Sequence, residues 1–168
     1  MKTIYLAGGC FWGIQKYIDQ FPGVLNSVVG YANGYVENPT YEDVKAQKTG
    51  HTETVKVEYD ESIISLQELI SNFYIVVDPT SLNKQGEDEG TSYRCGIYYV
   101  EKEDLSIINE ITELEKKKYT QKFVIEIEPL QCFYKAEEYH QKYLDKNPNG
   151  YCHIDGCYFN KYNIGLHL

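Results

Sequence analysis

Thr3-Ile4-Tyr5-Leu6-Ala7-Gly8-Gly9-Cys10-Phe11-Trp12-Gly13, continuing to Pro22-Gly23, is the stretch on which the reading of this chain turns. Thr3 to Ala7 has the character of a strand. Phe11, Ile14, Tyr17, Ile18 and Phe21 then recur at helical spacing, and Pro22-Gly23 stops the helix. A strand therefore feeds a helix with a cysteine at the junction. A thiol there meets the positive end of the helix dipole and N–H groups without helical partners, and both favour the reactive thiolate. Read as packing, Cys10 is a small buried hydrophobe. The adjoining Phe11-Trp12 and the flanking glycines tilt the reading towards a nucleophile beside an apolar wall.

Outward from this unit, Leu25 to Tyr31 returns as a strand and Gly30 to Tyr41 is a Gly/Asn/Pro loop. His51 to Asp60 alternates, with Glu53, Val55, Val57 and Tyr59 on one face. Ser65-Leu66-Gln67-Glu68 is a capping box that opens a helix with the stripe Leu66, Leu69, Ile70, Phe73, Tyr74 and Val77. Asp78 to Tyr93 is a long polar loop of the kind that often carries function. Cys95 to Val100 reads as strand, Glu103 to Lys118 as helix and Phe123 to Ile127 as strand. Ala136, Tyr139, His140, Tyr143 and Leu144 share one face of a last helix, after which the chain turns irregular. The order β-α-β-β-α-β, then α-β-α, predicts an α+β fold. Its core is a ferredoxin-like split βαβ with a mixed sheet, helices on one face, extra helices and a strand, and an irregular C-terminal tail. One catalytic domain over 1–168 is expected, with 148–168 as the tail.

The 168 residues, 42% of them hydrophobic, suffice for one core. A net charge of −9 argues against nucleic acid and anionic membrane surfaces. No segment is long enough to span a bilayer. The first residues lack a basic region followed by a long apolar run, so a cytoplasmic protein is expected. The five cysteines cannot all pair within one chain, which points to a reducing compartment and to redox-active or buried thiols. Cys95 and Cys132 adjoin strands and read as packing. Cys152, His153 and Cys157 lack a second cluster to complete a zinc site, so no metal is expected.

Glu53 shares its strand face with apolar residues. Buried there, it would hold its proton and could act as a general acid beside a thiolate. Alternation alone favours the plainer reading, a frayed strand end with Glu53 in water. His51 reads as a strand-end hydrogen bonder. Arg94, the only arginine, suits a fixed pair with a carboxylate. His140 and Tyr143 read as core or supporting positions.

Gly8-Gly9-Cys10-Phe11-Trp12-Gly13, Gly30-Tyr31, Asn38-Pro39-Thr40-Tyr41, Gly50-His51-Thr52-Glu53 and Asp78-Pro79-Thr80 run in a recognisable order. Gln85 to Gly90 with Tyr93-Arg94, Ala136-Glu137 with Tyr139-His140-Gln141, and Gly150-Tyr151-Cys152 continue it. Together these motifs resemble the A-type methionine sulfoxide reductases over almost the whole chain. Val77 stands where that family usually has His, Cys95 where Ser is usual, and the tail after Cys152 departs from the pattern.

The resemblance implies a reaction. Cys10 attacks the sulfoxide sulfur, and protonated Glu53 gives a proton to the oxygen with help from the hydroxyls of Tyr41 and Tyr93. Phe11 and Trp12 enclose the S-methyl group, and Asp88 orients a tyrosine or the substrate main chain. Methionine leaves Cys10 as a sulfenic acid, which Cys152 resolves to a disulfide, with Cys157 as a further carrier. Thioredoxin reduces the disulfide. The expected substrate is methionine S-sulfoxide, free or in proteins. No cofactor is expected, and a monomer is the default. A thiol peroxidase would also pass through a sulfenic acid, but it needs neither an acid at Glu53 nor a methyl pocket at Phe11-Trp12.

Overall fold

The computed structural model describes residues 1–159, apart from the side chain of Cys157. Eight strands and five helices follow in the order β1 (Lys2–Ala7), α1 (Phe11–Asp19), β2 (Val24–Ala32), α2 (Tyr41–Lys45), β3 (Thr52–Tyr59), α3 (Leu66–Val76), β4 (Lys84–Gln85), β5 (Asp88–Glu89), β6 (Gly96–Tyr99), α4 (Asp104–Lys116), β7 (Glu126–Pro129), β8 (Phe133–Lys135) and α5 (Tyr143–Lys146). The main sheet has the order β7-β6-β1-β3-β2-β8. Its four central strands are each antiparallel to their neighbours, in the split βαβ arrangement that the sequence predicts. β7 joins parallel to β6 after the α4 crossover, and β8 closes the other edge against β2. The sheet is therefore mixed.

Alternation along the strands divides the apolar residues between two faces. Ile4, Leu6, Val29, Tyr31, Val55, Val57, Tyr59 and Ile97 form one core with the inner stripes of α1 and α3. Tyr5, Ala7, Ala32 and Tyr98 form a smaller cluster with Leu130 and Phe133. α3 begins at the expected capping box, where Ser65 Oγ accepts from the Glu68 amide.

Several elements differ from the sequence reading. The strand expected from Phe123 pairs as β7 only from Glu126, because the amides of Val124 and Ile125 donate to the Pro79 carbonyl instead of to a strand. The expected last helix is split into a 3-10 turn over Glu138–His140 and the short α5, with Lys142 left-handed at φ 54° between them. Gln141 explains the break. Its side chain accepts from the Val29 amide and donates to the Val29 carbonyl, completing the edge of β2 just beyond β8. The Lys142 amide meanwhile donates to Gln15 Oε1 of α1. Two loops also hold elements unread in the sequence: α2, and the β4–β5 hairpin.

β8 comes close to β2 at Gly30. A Cβ there would collide with the Phe133 ring and lie 2.5 Å from the Tyr134 carbonyl oxygen. Gly30→Ala is expected to cost about 1–3 kcal/mol, as overpacking does. Urea unfolding at fixed pH measures it, and an unchanged midpoint would refute the close approach.

Candidate active site

Eight of the residues singled out in the sequence gather around the first turn of α1: Cys10, Phe11, Trp12, Tyr41, Glu53, Asp88, Tyr93 and Cys152. Cys10 is the N-cap residue of that helix, with only 7% of its surface exposed. The amides of Trp12 and Gly13 hydrogen-bond its sulfur and pull its pKa down, yet burial and then the charge of Glu53 push it well above the ordinary thiol value. The helix terminus alone would favour thiolate, as the sequence suggests. Burial outweighs the helix terminus.

Glu53 stands near the start of β3, opposite Tyr31 of β2. The strand does not fray there, because the Thr52 hydroxyl bonds the carbonyls of Ser92 and Arg94. The carboxyl is 1% exposed, and its Oε1 accepts from the Phe11 amide at 3.1 Å. Burial raises its pKa to about 8, against the modest pull of that amide. Glu53 is thus mainly a neutral acid at pH 7.

Two tyrosines bring hydroxyls to the same place. Tyr41 opens α2, where the Thr40 capping box fixes the chain direction. Tyr93 ends a 3-10 turn over Thr91–Tyr93. Burial first, and then the charge of Glu53, raise both phenols, so both keep their protons as donors. Glu137 ties this side of the site together, accepting from the Tyr41 amide at 2.9 Å and the Tyr31 hydroxyl at 2.7 Å. Burial would raise its pKa, but these donors hold it below the usual carboxylate value.

The two aromatics after Cys10 are held differently. Phe11 is buried in the core, its ring centroid 5.2 Å from that of His140. Trp12 is partly exposed and clamped. Its indole stacks on Tyr143 at 3.8 Å with 12° between planes, and Nε1 donates to His140 Nδ1 at 3.0 Å. His140 and Tyr143 therefore set the Trp12 plane, a role the sequence left among core or supporting positions.

The tail docks against the other side of the turn. A Cβ on Gly13 would lie 3.1 Å from Cys152 Sγ and 3.2 Å from His153 Nδ1, so the glycine leaves room for both. Asp88, on β5, accepts from the Tyr151 hydroxyl at 3.3 Å and faces His153 Nδ1 at 3.9 Å. Burial raises the Asp88 pKa, while His153, Tyr151 and the Cys10 amide draw it back. Asp88 thereby links the hairpin, the tail and the Cys10 turn. Cys157, named above as a further carrier, has its side chain outside the described residues.

The remaining residues are structural in their contacts. His51 accepts from the Gly34 amide and bonds the Val36 carbonyl, pinning the loop after β2. Arg94 Nε pairs with Glu126 at 2.9 Å. Cys95 is 2% exposed and its thiol is pushed up to about 12 by burial. Among the described residues no group of three or more His, Cys, Asp or Glu is arranged to hold a metal ion, and no helix is long and apolar enough to cross a membrane.

A buried neutral acid, two phenols and a thiol at one helix terminus fit the reduction of a polarised oxygen. The family model for peptide methionine sulfoxide reductase matches residues 2–163. The chain belongs to that family. A peptide methionine sulfoxide reductase MsrA of Clostridium acetobutylicum is 59% identical over 154 residues, covering 92% of this chain and 95% of the relative. The reduced form of Mxr1 from Saccharomyces cerevisiae superposes with a TM-score of 0.85 at 40% identity, covering 90% of this chain and 88% of that one. Mxr1 in complex with Trx2 matches with a TM-score of 0.61 at 32% identity, covering 84% of each chain. This methionine sulfoxide reductase is accordingly an A-type oxidoreductase with the family's α+β fold.

Proposed function

We propose that the enzyme reduces the S epimer of methionine sulfoxide, free and in proteins, with Cys10 as nucleophile and Glu53 as acid. The observation that carries this reading is the buried Glu53 carboxyl, raised to about 8, beside the thiol at the start of α1. Sulfoxide oxygen leaves sulfur poorly unless protonated. A neutral acid flanked by the Tyr41 and Tyr93 hydroxyls supplies that proton and the hydrogen bonds that hold the oxygen. Protonation makes the sulfoxide sulfur electrophilic, and the Cys10 sulfur forms a bond to it. The hydroxyl then moves from the methionine sulfur to the Cys10 sulfur: a new S–O bond forms on Cys10 as the methionine S–O bond and the Cys10–methionine S–S bond break, and methionine departs from a Cys10 sulfenic acid. One thiol and one sulfoxide thus give one sulfenic acid and one thioether, and Glu53 recovers its proton.

In this reading Trp12, backed by Phe11, borders the S-methyl group, and Asp88 steers the substrate main chain. Cys152 resolves the sulfenic acid with release of water, and Cys157 passes the disulfide onward. Thioredoxin is the proposed reductant, in keeping with the complex that Mxr1 forms with Trx2. Cys152 borders an open cleft of about 410 Å³ with Lys16, Leu144 and Pro148, a route by which a reductant can reach the tail. The protein acts as a cytoplasmic monomer with no cofactor, its whole chain serving as one catalytic domain.

Resolved S and R methyl aryl sulfoxides, supplied with dithiothreitol, test the assignment. The S epimer alone should yield sulfide. Turnover of R alone, or of neither, would contradict it.

A further inference from the structure

His153 is the buried polar group that the proposed reaction leaves without a task. Its side chain is 3% exposed, and its Nε2 lies 2.9 Å from the Gly8 carbonyl oxygen. A carbonyl only accepts, so Nε2 carries the hydrogen. In the neutral ring, Nδ1 is then a lone-pair acceptor, and it has no hydrogen-bond partner among the described residues. Burial lowers the pKa of the ring, which keeps it neutral at pH 7.

Gly13 shows what Nδ1 faces. Its amide bonds the Cys10 sulfur. Its α-carbon faces Cys152 Sγ and the Nδ1–Cε1 edge of His153. Nucleophile, resolving thiol and free nitrogen therefore share one residue of one helical turn. Asp88 is the charged group facing the ring, with Oδ2 3.9 Å from Nδ1, and it would stabilise a proton taken up there. Its own ionised form is supported by the Tyr151 hydroxyl and the Cys10 amide.

We infer that His153 Nδ1 accepts the proton of the Cys152 thiol as Cys152 attacks the Cys10 sulfenic acid. The inference rests on Cys152 being the resolving thiol. The Cys152–Cys10 S–S bond forms while the S–O bond of the sulfenic acid breaks. His153 takes the thiol proton and returns it to the departing hydroxyl, so the products are one disulfide and one water. The sulfenic oxygen is the oxidant, supplied by the sulfoxide. Asp88 is a positioning residue here, acting through the imidazolium that forms.

The test is a single turnover with one equivalent of methyl sulfoxide and no reductant, comparing wild type with His153→Gln. Glutamine keeps a donor for the Gly8 carbonyl and removes the basic nitrogen. Sulfide release and disulfide formation are followed separately by quenching with a thiol-blocking reagent and peptide mapping. Sulfide release should proceed at the wild-type rate. Formation of the Cys10–Cys152 disulfide should slow by about 30-fold at pH 7, because an ordinary thiol is only about 3% ionised there. It should then recover by about tenfold per pH unit as Cys152 ionises unaided, whereas wild type stays nearly flat. A wild-type rate in the variant overturns the role of His153. So does a slow rate that pH does not rescue, which would mark a purely structural contact. A wild-type disulfide that omits Cys152 overturns both this inference and the resolving role beneath it, and the mapped peptides tell these failures apart.

Discussion

Cys10→Ser is expected to lose sulfoxide reduction by at least about 10⁴-fold, because a buried hydroxyl is a far poorer nucleophile than a thiol. The fold should survive intact. Cys10 occupies the N-cap of α1, where the amides of Trp12 and Gly13 meet a sulfur, a weak acceptor. Serine is among the preferred residues at that position and can cap the helix, a gain of about 0.5–1 kcal/mol. The variant should therefore unfold at the same or a slightly higher temperature while being inactive. Residual activity near wild type in a properly folded Cys10→Ser protein would move the nucleophile elsewhere. Cys95 and Cys132 would be poor replacements, since one thiol is buried in the core and the other faces the Gly34 carbonyl.

Glu53→Gln is the second large effect. Its amide can still donate to a sulfoxide oxygen and accept from the Phe11 amide, so substrate should bind. It cannot transfer a proton, and the chemical step should slow by about 10²–10⁴-fold. Wild-type sulfide release in a single turnover should fall as pH rises through about 8, where Glu53 ionises, and this limb should be absent from the variant. Stability carries the same signature. The folded pKa of about 8 lies above the ordinary value of 4.5, so the native state keeps a proton that the unfolded chain loses. The stabilising contribution is full below pH 4.5 and is lost as pH rises through 8, by at most about 1.4 kcal/mol per pH unit. Relative to wild type, the unfolding free energy of E53Q should therefore climb between pH 5 and pH 8. A constant difference across that range would mean that Glu53 is ionised when buried.

The parts of this site that were legible in the sequence are those written in local periodicity. The spacing of Phe11, Ile14 and Ile18 predicts α1 and puts Cys10 at its start. Alternation along β3 puts Glu53 on the face of Val55 and Val57. Alternation could not say whether the strand end frays, because the bond from Thr52 to the Ser92 and Arg94 carbonyls joins distant segments. The split of the last helix was hidden for a similar reason. Tyr139, His140, Tyr143 and Leu144 do keep helical spacing, but Gln141 is spent on the backbone of Val29, over a hundred residues earlier. α2 carried a usable signal that periodicity missed, since Thr40 and Asp43 form a capping box before a helix with one buried residue, Val44. Gly13 reads in the sequence only as one of the glycines that flank Cys10-Phe11-Trp12. Its purpose, room for Cys152 and His153, emerges only when the tail is folded back.

In the proposed reaction sulfoxide oxygen passes to the sulfur of Cys10. Mass analysis of a Cys152→Ser, Cys157→Ser protein after one equivalent of S-sulfoxide tests it most directly. One equivalent of sulfide and a trapped sulfenic acid on the peptide that contains Cys10 are expected. Sulfide formed without oxidation of Cys10, or with the oxidised sulfur at Cys95 or Cys132, would contradict it.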